Sequence, residues 1–209
     1  MARAKATLAL WIACAALALP ALAAADENGP RELVKRVTQE VLGEVRQQNG
    51  DQRKIISLVE DKVVPHFDFT AMTRIAAGRH WRDASPQQKK RLVDEFRKLL
   101  VHTYSGVLAS YQHEKFEYPP LHASSGATDV TVTTRVLRPG SEPVRIDYEM
   151  EKTADGWKAY DVKVAGVSLV ANYRSEFDAE VRKGGIEGLL KALEAKNKAL
   201  ENEPVGTKG

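Results

Sequence analysis

The side chains that could do chemistry in this chain are few and poorly grouped. His66 stands two residues before Asp68, so a carboxylate could orient an imidazole that acts as a general base. The remaining histidines are His80, His102, His113 and His122. No pair among the five has H-x-x-x-H or H-E-x-x-H spacing, so no helical metal pair is encoded, and neither a metal nor an organic cofactor is expected. Gly166-Val167-Ser168 begins like a nucleophile elbow, but Val170 occupies the place of the second glycine. Ser168 reads instead as a helix N-cap. Asp147, Glu149 and Glu151 alternate along one segment and read as the solvated side of a strand rather than a glycosidase pair. The glycines form neither a dinucleotide-binding turn nor a phosphate loop. Arg74, Arg79, His80 and Arg82 surround Gly78. The plain reading of that cluster is a solvated turn; the functional one is contact with phosphate headgroups or an acidic partner.

The start of the chain narrows the field further. Arg3 and Lys5 precede an apolar run from Ala6 to Leu19, then Pro20 and the small residues Ala21, Ala23, Ala24 and Ala25. This is the pattern of a secretory signal peptide, with cleavage after Ala23 or Ala25. The run is shorter than the roughly 20 residues of a membrane span. Cys14 is the single cysteine and lies inside this leader, in a Trp11-Ile12-Ala13-Cys14 context that makes a poor lipidation box. The mature chain therefore has no thiol nucleophile, disulfide or thiolate metal site. Arg3 and Lys5 also supply much of the formal net charge of +3. Without them the protein is nearly neutral and shows no basic stripe, so no nucleic-acid partner is expected. The expected organisation is a leader over residues 1–25, removed on export, and a single domain over 26–209 with 201–209 a disordered tail.

The elements that must position any site follow from periodicity. Pro30 opens a helix with Leu33, Val34, Val37, Val41, Leu42 and Val45 on one face, ended by Asn49-Gly50. Asp51 caps a second helix carrying Ile55, Ile56, Val59, Val63 and Val64, which stops before Pro65. Asp68 caps a third that ends at Gly78. Ser85-Pro86-Gln87-Gln88 is a capping box before a long helix reaching about Gln112, with Leu92, Phe96, Leu99, Leu100, Tyr104, Val107, Leu108 and Tyr111 at helical spacing. The period then changes to two. Phe116 and Tyr118, Val130 to Val136, Val144 to Met150 and Trp157 to Val164 predict four antiparallel strands, greasy on one face and wet on the other. Two closing helices, parted by Gly184-Gly185, complete an α+β domain: a four-stranded twisted sheet packed against several helices.

Three segments carry a family likeness. They are Phe67-Asp68-Phe69-Thr70-Ala71-Met72 with Gly78-Arg79-His80-Trp81-Arg82-Asp83-Ala84-Ser85, Leu99 to Tyr104 with Leu108 and Tyr111, and Gly156 to Val162 running into Gly166 to Phe177. In this order, behind a secretory leader, they resemble the periplasmic MlaC family, also called toluene-tolerance proteins. The resemblance implies a periplasmic phospholipid carrier whose acyl chains lie in an apolar cavity between sheet and helices. It implies two further partners, an outer-membrane lipoprotein complex and an inner-membrane ABC transporter complex. It also implies a role in outer-membrane lipid asymmetry, with no catalysis.

The greasy faces nominate Met72, Ile75, Leu100, Tyr104, Leu108, Val132, Ile146, Tyr148, Met150, Tyr160, Val162 and Val167 as the lipid-binding lining. A cavity for such cargo should approach or exceed about 1,000 Å³, the top of the range for ligand sites. The competing reading is a small-molecule enzyme that uses the same apolar pocket with His66 and Asp68 as acid and base. Asp161 alternates with Tyr160 and Val162 and should point away from that pocket.

Overall fold

The computed structural model describes residues 29–48, 51–110 and 114–202. The readings of the leader, of Asn49-Gly50, of Tyr111, Gln112 and His113, and of the chain after Asn202 lie outside the described residues.

The helix signals act where the sequence puts them. Helix α1 (Pro30–Val45) has proline in its first turn. Helix α2 (Gln52–Lys62) is capped by Asp51, whose carboxylate accepts from the amides of Arg53 and Lys54. A 3-10 turn, Val64–His66, absorbs Pro65 and leads into α3 (Phe69–Ala77). Asp68 caps α3 by accepting from the Ala71 amide at 2.8 Å, and Gly78 ends it at φ +55°. After the single turn of α4 (His80–Asp83), the capping box closes in both directions. Ser85 Oγ accepts from the Gln88 amide at 3.2 Å, and Gln88 Oε1 accepts from the Ser85 amide at 2.9 Å. That start launches the 25-residue helix α5 (Pro86–Ser110).

The sheet has five strands rather than four, in the order β1 (Lys115–Glu117), β2 (Asp129–Leu137), β3 (Val144–Thr153), β4 (Gly156–Val164) and β5 (Val167–Ser168), all antiparallel. The added strand is two residues long, too short to show alternation. It pairs Val167 with Val164 across Ala165-Gly166, both at positive φ (49° and 82°) as a tight two-residue hairpin requires. Ser168 then caps the last helix, α6 (Leu169–Asn202), its hydroxyl accepting from the Ala171 amide at 2.8 Å. Gly184 and Gly185 leave helical geometry and kink α6 where the glycine pair predicted a break. Glu201 and Asn202 continue α6, two residues into the segment expected as a tail.

The interior is divided. One cluster joins α3, α5 and α6 through Met72, Leu92, Phe96, Leu99, Leu100, Tyr173 and Phe177. Phe96 meets both Tyr173 and Phe177 edge-on with ring centroids 5.1 Å apart. A second joins Leu33 and Val34 of α1 to Val130, Val132, Met150 and Ala159 of the sheet. A third holds α1 on α2 through Val41, Val45, Ile55 and Leu58, with Leu108 of α5 packed against it. Globular domains usually bury one contiguous core. Here the helical core and the sheet's greasy face are separate clusters, bridged by the partly buried Phe67.

Candidate functional site: an apolar cavity where three clusters meet

The space between the clusters is a cavity of about 270 Å³, partly open to solvent. It draws walls from all three. Met72, Leu100 and Tyr104 come from the helical cluster, Leu33, Val34, Met150 and Ala159 from the sheet cluster, and Val41, Val63 and Leu108 from the α1–α2 cluster. Its volume is well below the 1,000 Å³ expected from the sequence. Large side chains, Phe67, Phe69, Met72 and Leu100 among them, line the gap between the layers.

Of the twelve residues nominated from the sequence, the structure brings Met72, Leu100, Tyr104, Leu108, Ile146, Tyr148, Met150 and Val162 to the cavity. Ile75, Val132, Tyr160 and Val167 lie elsewhere. Ile75 packs against the helical cluster. Val132 points to the correct face of β2 but is sealed beneath α1, only 1% exposed. Val167 is 53% exposed, at the foot of the β4–β5 hairpin that the sequence did not reveal.

Tyr160 has the most instructive displacement. Glu149 pairs with Asp161, but Met150 pairs with Ala159, so Tyr160 is an extra residue on β4, a β-bulge. The bulge breaks strict alternation. Ala159 takes the inward position, 3% exposed, and Val162 regains it three residues later opposite Tyr148. The Tyr160 hydroxyl instead lies 3.0 and 3.2 Å from the two carboxylate oxygens of Asp129. Burial, reinforced by that carboxylate, pushes its pKa up to about 12.

Sequence reasoning missed an entire wall. Helix α1 lines the cavity with Leu33, Val34, Val37, Thr38, Val41 and Leu42, and Val63 and Val64 extend that wall beyond α2. The signal was present in the i, i+3, i+4 spacing of α1. What the spacing lacks is a statement of which layer that face meets.

Polar groups at the cavity are few and mostly satisfied. Ser105 Oγ donates to the Val101 carbonyl of its own helix at 2.6 Å. Burial pushes the Tyr104 hydroxyl up to about 12, with Tyr173 beside it, so it stays protonated. His66 lines the cavity from the 3-10 turn. Its pKa lies below the ordinary imidazole value, first through burial and then through the charges of Arg36 and Lys158, so the ring is neutral at pH 7. Asp68, the expected orienter, spends its carboxylate on the α3 cap, and its amide donates to the Ala159 carbonyl at 2.9 Å. Asp161 is 7% exposed. It accepts from the amides of Val162 at 2.8 Å and Val170 at 3.3 Å, tying β4 to the first turn of α6. It is a fastening between elements, on the side of β4 away from the cavity as alternation predicts.

Known proteins resemble this arrangement over most of its length. The toluene tolerance protein Ttg2D of Pseudomonas putida is 24% identical over 201 residues, 91% of this chain and 93% of that protein. The intermembrane phospholipid transport system binding protein MlaC of Haemophilus influenzae (strain ATCC 51907 / DSM 11121 / KW20 / Rd) is 18% identical over 175 residues, 80% of this chain and 82% of that protein. Among solved structures, the phospholipid-binding protein of Ralstonia solanacearum in complex with a phospholipid superposes with a TM-score of 0.75 and 36% identity. That match covers 82% of this chain and 98% of the other. Residues 32–195 match the family described as MlaC protein, and the chain belongs to that family.

Proposed function

We propose that this protein is a phospholipid carrier that holds acyl chains in the cavity between α1, α5 and the sheet and performs no chemistry on them. The observation that supports it most directly is the composition of the walls: aliphatic and aromatic side chains from three separate clusters, with the polar groups already hydrogen-bonded or neutral. Each methylene exposed to water costs about 0.8 kcal/mol, so a 16-carbon tail in water costs on the order of 12 kcal/mol. Walls of this kind offset that cost. A carrier must hold the tail no more tightly than a bilayer does, so that release needs no energy source in the carrier itself.

The relatives' names and the phospholipid held by the Ralstonia protein support the same cargo. The cavity of about 270 Å³ falls below the roughly 300–1,000 Å³ of drug-sized ligand sites, so the walls part to admit a two-chain lipid. The side chains that must turn are Phe67, Phe69 and Leu108, each of which keeps some solvent exposure. The leader directs the chain to the periplasm. There it shuttles lipid between an outer-membrane lipoprotein complex and an inner-membrane ABC transporter complex, and so maintains outer-membrane lipid asymmetry. Among the described residues, no helix is long and apolar enough to cross a membrane.

The test is extraction. The protein, purified without its leader from a periplasmic fraction, is extracted with chloroform and methanol and the extract read by mass spectrometry. Phospholipid near one molecule per chain is expected. A lipid-free extract from protein that also fails to take lipid from vesicles overturns the proposal.

A further inference from the structure

A second concavity lies at the far end of α3 from the cavity, and nothing in the carrier reading uses it. It has a volume of about 590 Å³ and is lined by Ala77, Gly78, Arg79, His80, Ala171, Asn172, Arg174, Ser175, Asp178 and Arg182. The turn that reads from the sequence as a solvated basic cluster forms one wall. The outer face of α6 forms the other.

One carboxylate organises the cations. Asp178 takes Arg79 at 2.8 Å, His80 Nε2 at 2.7 Å and Arg182 at 2.6 Å. Those neighbours, His80 foremost, hold its pKa below the usual carboxylate range, so it stays ionised. A single negative charge thus faces two guanidinium groups and one imidazole, and Arg174 adds a third guanidinium to the same recess. Arg174 has no carboxylate partner among the described residues. Its guanidinium lies over Gly78, where a Cβ would sit 3.1 Å from Nε, so glycine makes room for it. The serine hydroxyl and asparagine amide of the lining add uncharged donors.

We infer that this concavity is a docking site for an acidic segment of a protein partner, its Asp and Glu side chains taken by Arg79, Arg174 and Arg182. Three features favour that occupant. Uncompensated positive charge in a recess attracts anions and speeds their encounter. The guanidinium fork matches a carboxylate in bidentate geometry. The recess also exceeds what one small anion fills, and a flat bilayer surface does not reach the floor of a concavity. The site stands apart from the lipid cavity, so a carrier could engage a partner there while its mouth remains free.

The experiment uses a fluorescein-labelled octaglutamate peptide, read by fluorescence anisotropy at low ionic strength, where surface charges are least screened. Four proteins are compared: the parent, Arg174→Gln/Arg182→Gln, Gly78→Val, and a control that removes equal charge elsewhere, Arg135→Gln/Lys198→Gln. The parent should bind. Arg174→Gln/Arg182→Gln should bind about tenfold more weakly, Gly78→Val severalfold more weakly, and the control within twofold of the parent. No peptide binding by the parent, or equal loss in the control, overturns the proposal. So does complete displacement by inorganic phosphate at the peptide's carboxylate concentration, which would mark a small-anion site. So does binding to phosphatidylglycerol-containing vesicles in place of the peptide. None of these readings involves cargo, so they are independent of whether lipid fills the cavity.

Discussion

Leu108→Asp tests the carrier reading most sharply, because Leu108 lines the cavity without anchoring the main helical cluster. It packs from the last turns of α5 against Val41, Val45, Ile55 and Leu58, and keeps some solvent exposure. Replacing it removes an apolar wall contact worth about 2 kcal/mol when a tail lies against it. If the new carboxylate faces the tail, it must also stay protonated near pH 7, about three pH units above its ordinary pKa, which adds roughly 4 kcal/mol. Because the position is partly exposed, the carboxylate can instead turn to water, and the second cost is then only partly realised. The loss therefore lies between about 2 and 6 kcal/mol, a fall in lipid affinity of about 30-fold at the low end and on the order of 10⁴-fold at the high end. Folding should survive, with a melting temperature lower by a few degrees. Leu108→Met keeps volume and apolarity and should load normally. The assay is transfer of a fluorescent phospholipid from vesicles to purified protein, with circular dichroism as the control for folding. If Leu108→Asp and Val162→Asp, on opposite walls, both load within twofold of the parent, the cavity is not where the tails go.

Other expectations are smaller and independent. Ala165 is the one non-glycine residue at positive φ among the described residues (49°), so Ala165→Asn or Ala165→Gly should relieve about 1 kcal/mol and raise the melting temperature by a few degrees. Removing the Asp161 carboxylate in Asp161→Ala leaves the amides of Val162 and Val170 without their acceptor, and should cost about 1–3 kcal/mol in urea denaturation. His66 has a lowered pKa, so the unfolded chain binds its proton more readily than the folded one. Its contribution is constant above pH 6.5 and is lost as pH falls below that value. The depressed carboxylates, Asp178 and Glu187 among them, lose theirs only below their ordinary values of 3.8 and 4.5. The parent should therefore lose more stability between pH 7 and 5 than His66→Gln does, and equal slopes in that window would refute the assignment.

The sequence carries some of this architecture openly and hides the rest for identifiable reasons. Caps and periods are local, and local signals survive. Asp51, Asp68, Ser85 and Ser168 each cap the helix their position predicts. The faces of β2 alternate as written; β3 departs at Asp147, expected on the solvated side but only 7% exposed, where Thr133 and Arg145 donate to its carboxylate. Tyr160 fails because a bulge is set by the pairing partner: Glu149 and Met150 on β3 take Asp161 and Ala159, and β4 alone gives no sign of the skipped residue. Val132 fails differently. Its orientation is right, but whether an inward side chain meets a neighbour or a void depends on where α1 crosses the sheet, which no periodicity in β2 encodes.

The placement of α1 also explains why a void exists at all. Its N-terminal half covers the sheet through Leu33 and Val34, and its C-terminal half leaves the sheet to pack on α2 through Val41 and Val45. The N-terminal end is tied by Arg31, which donates to the carbonyls of Tyr118 and Pro119 at 2.6 and 2.9 Å, and the far half by the Lys62–Glu40 ion pair. A helix pinned at both ends to different layers cannot settle onto either along its whole length. The residues between, Val37 and Thr38, are left facing the gap. Filling that gap with larger residues on α1 would satisfy the packing that most domains achieve and remove the space for a tail. Val37→Phe should accordingly raise stability or leave it unchanged while lowering lipid loading several-fold. The opposite pairing, lower stability with loading intact, would mean that α1 is a scaffold and the cargo lies elsewhere.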